Sequence, residues 1–186
     1  MLGRERREER REERQDDRGP GGGGENRYQM VQKMVSIGDD FWIENGRGER
    51  AFKVDGKALR VRSTLNFEDA HGQKLCQIQE KMVRVRETMD IEDANGQTIA
   101  TIKKAMITPV RERFTLNIQG GPDIEIQGNL LDHEYTFEQG GRKVAETSKK
   151  WFRLRDSYGV EIEPGQNDIL ILAATVAIDM ISNPAR

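Results

Sequence analysis

The chain has 186 residues, enough for one domain with a core of reasonable size. A third of them are charged, yet 30 Lys and Arg stand against 32 Asp and Glu, a formal net charge of −2, so no global field draws the chain to nucleic acid or to an acidic partner. The single cysteine, Cys76, excludes an internal disulfide and a cysteine-based zinc cluster.

The first residues stand apart. Arg and Glu dominate residues 4–18, and Gly19-Pro20 and four further glycines, 21–24, follow. Coiled as a helix, this tract would place like charges four apart (Glu8 with Glu12, Arg10 with Arg14), which disfavours the helix. Residues 1–26 therefore predict a disordered charged tail with a flexible Gly-rich linker. An alternative reading uses the stripe of Arg4, Arg7, Arg11, Arg14 and Arg18 to dock residues 1–18 on a partner protein. Met1-Leu2-Gly3 leads straight into charge, without the apolar stretch of a signal peptide.

From about Arg27 the sequence repeats itself. Residues 67–78 match residues 91–102 at a constant offset of 24, with Phe67-Glu68-Asp69-Ala70-His71-Gly72-Gln73 answered by Ile91-Glu92-Asp93-Ala94-Asn95-Gly96-Gln97. Weaker copies are read at residues 54–59 and 141–145. Each unit reads as strand, tight turn, strand, and Asn95-Gly96 is a two-residue hairpin signal in which both positions tolerate positive φ. Flanking runs alternate with period two: Val83 and Val85 oppose Arg84 and Arg86, Phe114 and Leu116 oppose Arg113 and Thr115, Phe152 and Leu154 oppose Arg153 and Arg155. About twelve such runs lie between Tyr28 and Ile162, which describes antiparallel strands with one apolar face.

Near the end, residues 169–181 are almost wholly apolar, bounded by Asn167-Asp168 and by Pro184. The run is roughly 21 Å long as a helix at about 1.5 Å per residue, short of the roughly 30 Å core of a bilayer. Its polar residues, Asp168, Thr175, Asp179 and Ser182, share one stripe, and Asp168 is the expected N-cap. Many strands with one apolar face need a cover, and this helix is the only other apolar mass. The predicted fold is mainly β (α+β): an antiparallel barrel of about twelve strands over residues 27–186, enclosing a central hydrophobic helix at about 168–182. A helix roughly 10 Å across needs more than eight strands around it.

The stretches Gly128-Asn129, Asp132-His133-Glu134-Tyr135, Val144-Ala145-Glu146, Ser148-Lys149-Lys150-Trp151, Asp156-Ser157-Tyr158-Gly159-Val160 and Asp168-Ile169-Leu170-Ile171-Leu172-Ala173, with Ile178-Asp179, resemble the LURP-one-related family. That family belongs to the Tubby C-terminal-like superfamily, with the phospholipid scramblases. The resemblance spans roughly residues 27–181. It implies a twelve-stranded barrel around a central helix, and it brings in phosphoinositide headgroup binding through basic residues from the Tubby domains, with calcium-triggered lipid movement from the scramblases. The chain departs from the scramblase pattern: it lacks a cysteine-rich palmitoylation segment, and its nearest approach to a calcium loop puts Ile91 and Ile102 where oxygen ligands are required.

Candidate chemistry is sparse. His71 sits at a hairpin turn and His133 at a strand start, without a spacing that suggests a metal pair, and both are expected at the surface. Cys76 is expected to pack as a small hydrophobe. No Gly-rich phosphate loop opens a helix. The expectation is therefore a protein without catalytic activity or cofactor. Basic residues offer the better hypothesis: Arg84, Arg86, Lys103, Lys104, Lys149, Lys150 and Arg153 on strand faces could meet anionic headgroups, with Trp151 as an interfacial anchor. The competing reading is a solvated exterior paired to Glu87, Glu112 and Glu146. The resulting expectation is a monomeric binding or scaffold module, cytoplasmic and peripheral at the inner membrane face if headgroups are its ligand. The alternatives are a scramblase-like transporter with the terminal helix in the membrane, and a protein-interaction module acting through residues 1–18. Nucleic acid is disfavoured by the balanced charge and the lack of a recognition helix.

Overall fold

A computed structural model describes residues 26–31, 40–55, 64–80, 88–105, 112–129, 133–149 and 157–182. The charged tract and glycine linker lie outside them, and so do the alternating runs around Arg84, Arg86 and Arg153. Twelve strands run in chain order: β1 (Arg27–Val31), β2 (Phe41–Asn45), β3 (Arg50–Asp55), β4 (Thr64–Asp69), β5 (Lys74–Glu80), β6 (Thr88–Asp93), β7 (Thr98–Lys104), β8 (Glu112–Ile118), β9 (Ile124–Asn129), β10 (Glu134–Gln139), β11 (Arg142–Ser148) and β12 (Ser157–Ile162). One helix, α1 (Asp168–Ser182), follows. Each strand pairs antiparallel with its sequence neighbours, and β1 pairs with β12 to close the barrel.

The 24-residue offset sets the registers. It carries β4 onto β6 and β5 onto β7, boundary for boundary, and it extends further than the sequence comparison indicated. Asn45, Asp69, Asp93 and Asn117 stand 24 apart, and so do Gly48, Gly72, Gly96 and Gly120, whose φ values run from 73° to 82°. Asp69 Oδ1 accepts the amides of His71 and Gln73, both at 2.8 Å. Asp93 Oδ1 accepts those of Asn95 and Gln97 at 2.9 and 2.8 Å, and Asn45 Oδ1 accepts those of Arg47 and Glu49. Each side chain thereby holds a turn that the left-handed glycine completes, and the register shifts by one residue just before it. The Asn95-Gly96 expectation is corrected in this respect. Only Gly96 has positive φ, because the Asp93 carboxylate captures the Asn95 amide in an ordinary turn conformation. Of the weaker copy read at 54–59, Asp55 ends β3 and residues 56–59 lie outside the described residues; a further hairpin of the same build is the one at Asn45.

Inward-facing residues from all twelve strands form one core, and α1 fills its middle. Every residue of the helix from Leu170 to Ile181 is buried, as a helix apolar on all sides requires. It packs on β5, β6, β7 and β12. The N-cap is Asn167, not Asp168: Asn167 Oδ1 accepts the Leu170 amide at 3.1 Å. Asp168 is thereby released to accept the hydroxyl of Tyr28 on β1 at 2.6 Å.

The up-and-down order gives the barrel two unlike ends. Tight turns join β2 to β3, β4 to β5, β6 to β7, β8 to β9 and β10 to β11, and β12 turns into α1 at that same end. The other strand ends, together with the C-terminus of α1, form the opposite rim.

Candidate functional site

At that opposite rim the helix meets the wall through polar groups. Asp179, one turn before the helix end, accepts the Tyr158 hydroxyl at 2.9 Å through Oδ2, while its Oδ1 lies 3.3 Å from Nδ1 of His133. The His133 and Tyr158 rings stack with centroids 4.7 Å apart. His133 adopts φ 49°, a left-handed conformation uncommon for a residue with a side chain. Thr147 on β11 holds it there: its hydroxyl donates to the His133 carbonyl at 2.6 Å and accepts the Tyr135 amide at 2.9 Å. Next in the cluster stand Tyr135 and Ser182, neighbours whose hydroxyls fall short of full hydrogen-bond geometry.

Gly128 on β9 makes room for this arrangement. A Cβ there would lie 2.0 Å from the Glu134 carbonyl and 2.6 Å from the Tyr135 ring. The fragments of the sequence that were singled out piecemeal (Gly128, His133, Tyr135, Tyr158, Asp179) thus converge on one buried place. His133 is only 5% exposed, which corrects its expected surface position. The signal that could have found it is the acid in the apolar run: a buried carboxyl needs a donor within reach, but its partners lie far away along the chain.

Burial dominates the electrostatics. It raises Asp179 above the ordinary carboxylate range, although His133 and Tyr158 pull the other way. It raises Tyr158 and Tyr135 too, and nearby Asp179 adds to both. These phenols remain neutral donors at any ordinary pH. Cys76, buried inside the barrel, is pushed up to about 12 and stays a thiol, as its packing role requires. Among the described residues, no three His, Cys, Asp or Glu side chains gather as a metal site.

The predicted basic residues divide between described and undescribed positions. Arg84, Arg86, Lys150 and Arg153 lie outside the described residues. Lys103 and Lys104 end β7 and Lys149 follows β11, so these three stand at the same rim as the Asp179 cluster. Lys103 is exposed. Lys104 is committed to Glu112 at 3.1 Å, with its side chain 14% exposed, and lies over the Phe114 ring. Lys149 is half-buried. The structure brings all three to one end of the molecule without gathering them into a single pocket.

A closed twelve-stranded barrel plugged by its own C-terminal helix defines the structural class, and its remaining surface for recognition is external. The chain belongs to the LURP-one-related family, whose model matches residues 26–179. A crystal structure of a protein from Arabidopsis thaliana shares the fold, with a TM-score of 0.61 and 14% identity over 87% of this chain and 94% of that one. No curated protein sequence matches significantly. No helix among the described residues is long and apolar enough to cross a membrane.

Proposed function

We propose that this chain is a non-catalytic binding module whose rim around the C-terminal end of α1 recognises anionic phospholipid or phosphoinositide headgroups at a membrane surface. The observation that carries the reading is that Lys103, Lys104 and Lys149 stand at one rim of the barrel. Three stretches repeat one pattern of cations between apolar residues: Lys57, Arg60 and Arg62; Lys81, Arg84 and Arg86; Lys150, Arg153 and Arg155. The strands flanking each stretch (β3 and β4, β5 and β6, β11 and β12) all end at the rim that carries Lys103, Lys104 and Lys149. At the tight-turn end the exposed acids Glu49, Asp123 and Glu163 and the turn carboxylates Asp69 and Asp93 stand beside the exposed cations Arg47, Arg50, Arg142 and Lys143.

Basic residues interleaved with apolar ones suit a headgroup layer, where the cations meet phosphate and the apolar residues reach the interface. The Tubby-like relatives implied by the sequence resemblance use basic residues for the same class of ligand. The filled interior argues in the same direction, because α1 leaves the exterior as the place of recognition.

Flotation tests this on vesicles of neutral phosphatidylcholine with and without phosphatidylserine and a phosphoinositide. The full chain is expected to float only with the anionic lipid and to be released by salt. Each Lys near an anionic surface contributes about 1 kcal/mol, so Lys103→Gln with Lys149→Gln lowers partitioning roughly 30-fold. Equal flotation of variant and wild type, or none by wild type, overturns the reading.

A further inference from the structure

We propose that Asp179, Tyr158 and His133 form a proton-dependent latch on the last turn of α1, fastened when Asp179 carries a proton and loosened when it ionises. The first support is geometric. Asp179 is buried between the helix and β12, and only one of its oxygens has a hydrogen bond of full geometry, from a neutral phenol at 2.9 Å. The other oxygen faces His133 Nδ1 at 3.3 Å without completing a bond. A carboxylate in such a place lacks the two or three donors that normally hold a buried charge. A carboxylic acid there has a hydroxyl to give to the imidazole nitrogen.

The second support is the inventory of facing groups. Tyr158 comes from β12, His133 from the turn before β10, Tyr135 from β10 and Ser182 from the helix itself. Glu112 on β8 also faces Tyr135, and its one cationic partner in the cluster's direction is Lys104 of β7. Thr147 on β11 does not titrate. The other strands packed on α1 present Ile78 and Cys76 from β5, Met89 and Ile91 from β6 and Ala100 and Ile102 from β7; Cys76 stays neutral, and the buried Asp90 of β6 accepts the Thr101 hydroxyl at 2.7 Å. No cation directly faces Asp179 among the described residues other than His133 if protonated, so ionisation leaves the charge with weak compensation.

The third support is position. The opposite end of α1 is tied by Asn167 and by Tyr28 to Asp168, and the middle is fixed by packing. The last turn, Met180 to Ser182, has Asp179 as its polar tie, so that turn is the part a change at Asp179 would release.

The test uses lipid-free full chain, which separates it from the headgroup reading. The carboxyl carbon of Asp179 is titrated by NMR from about pH 4 to about pH 9, and exchange of the Met180 and Ile181 amides is followed over the same range, corrected for intrinsic rate. The Asp179 midpoint is expected above the ordinary carboxylate value of about 3.9. Protection of both amides is expected to fall about tenfold per unit of that shift as Asp179 ionises, while Asp179→Asn shows a flat profile. Should Asp179→Asn fail to fold, Tyr158→Phe serves instead, with a midpoint moved further upward because the ionised form loses its donor. A midpoint at or below the ordinary value, or protection independent of the Asp179 titration, overturns the latch.

Discussion

Tyr158 on β12 donates its hydroxyl to Asp179 across 2.9 Å, and the relationship has a counterpart at the other end of the helix, where Tyr28 on β1 donates to Asp168. These two strands are the pair that closes the barrel. The helix is thus tied at both ends to the seam, by neutral donors that reach its two carboxyls. Removing the Tyr158 hydroxyl leaves a fully buried carboxyl without its best partner. Tyr158→Phe is expected to cost about 1–3 kcal/mol in urea unfolding. Tyr28→Phe, whose partner Asp168 is only half-buried, is expected to cost less.

The helix acts as the core of the barrel. Leu172 and Ile178 are fully buried, so Leu172→Ala or Ile178→Ala should each destabilise by roughly 2–5 kcal/mol, through lost transfer energy plus the cavity left behind. A negligible shift in the unfolding midpoint would mean that the wall collapses onto the helix more readily than a closed sheet allows.

Gly128 is required by space rather than by backbone conformation. A methyl group there meets the Glu134 carbonyl, which is fixed in the β9 to β10 pairing, and cannot move aside as a flexible side chain would. Gly128→Ala is expected to cost at least the roughly 1–3 kcal/mol typical of overpacking, and to broaden the NMR signals of Tyr135 and His133. Unchanged stability would show that the two strands can separate at the rim.

The turn at Asp93 carries a pH dependence of opposite sign to that of Asp179. Backbone amides of Gln97 and Asn95 hold the Asp93 carboxyl below the ordinary carboxylate range. A lowered folded pKa means that this contribution is present above the unfolded value and is lost as pH falls through the folded one. Asp93→Asn keeps the acceptor that Asn45 supplies in the equivalent turn, so it should melt close to wild type in acid, whereas Asp93→Ala should melt lower at neutral pH. Asp179 behaves in the reverse manner. Its raised pKa means that the folded state holds the proton longer, so its contribution to stability is largest in acid and falls as pH rises.

Much of the fold was legible in the sequence because two independent patterns agree. The 24-residue offset at Asp69 and Asp93 gave the hairpins, and the apolar run of α1 supplied the only mass able to fill a barrel of that width. The turn at Asn45 is not read from the offset because the side-chain acceptor is what repeats, and there Asn replaces Asp; at Asn117 the side chain instead donates to Asp123. The Asp168 expectation failed for a related reason. Two adjacent polar residues can each cap, and the choice was made by Tyr28, 140 residues away in the chain. At the rim the sequence showed the polar stripe that carries Asp179 but not the partners that meet it. His133, Tyr158 and Asp179 have no shared spacing, and only closure of the barrel brings them together.

The most direct test of the account is a chemical-shift map of the full chain titrated with a soluble inositol polyphosphate, read end against end. The account predicts salt-sensitive shifts at Lys103, Arg113 and Lys149, with none at Gly72, Gly96 or Gly165 in the tight-turn end. Shifts confined to the tight-turn end, or no shifts at either, would contradict it.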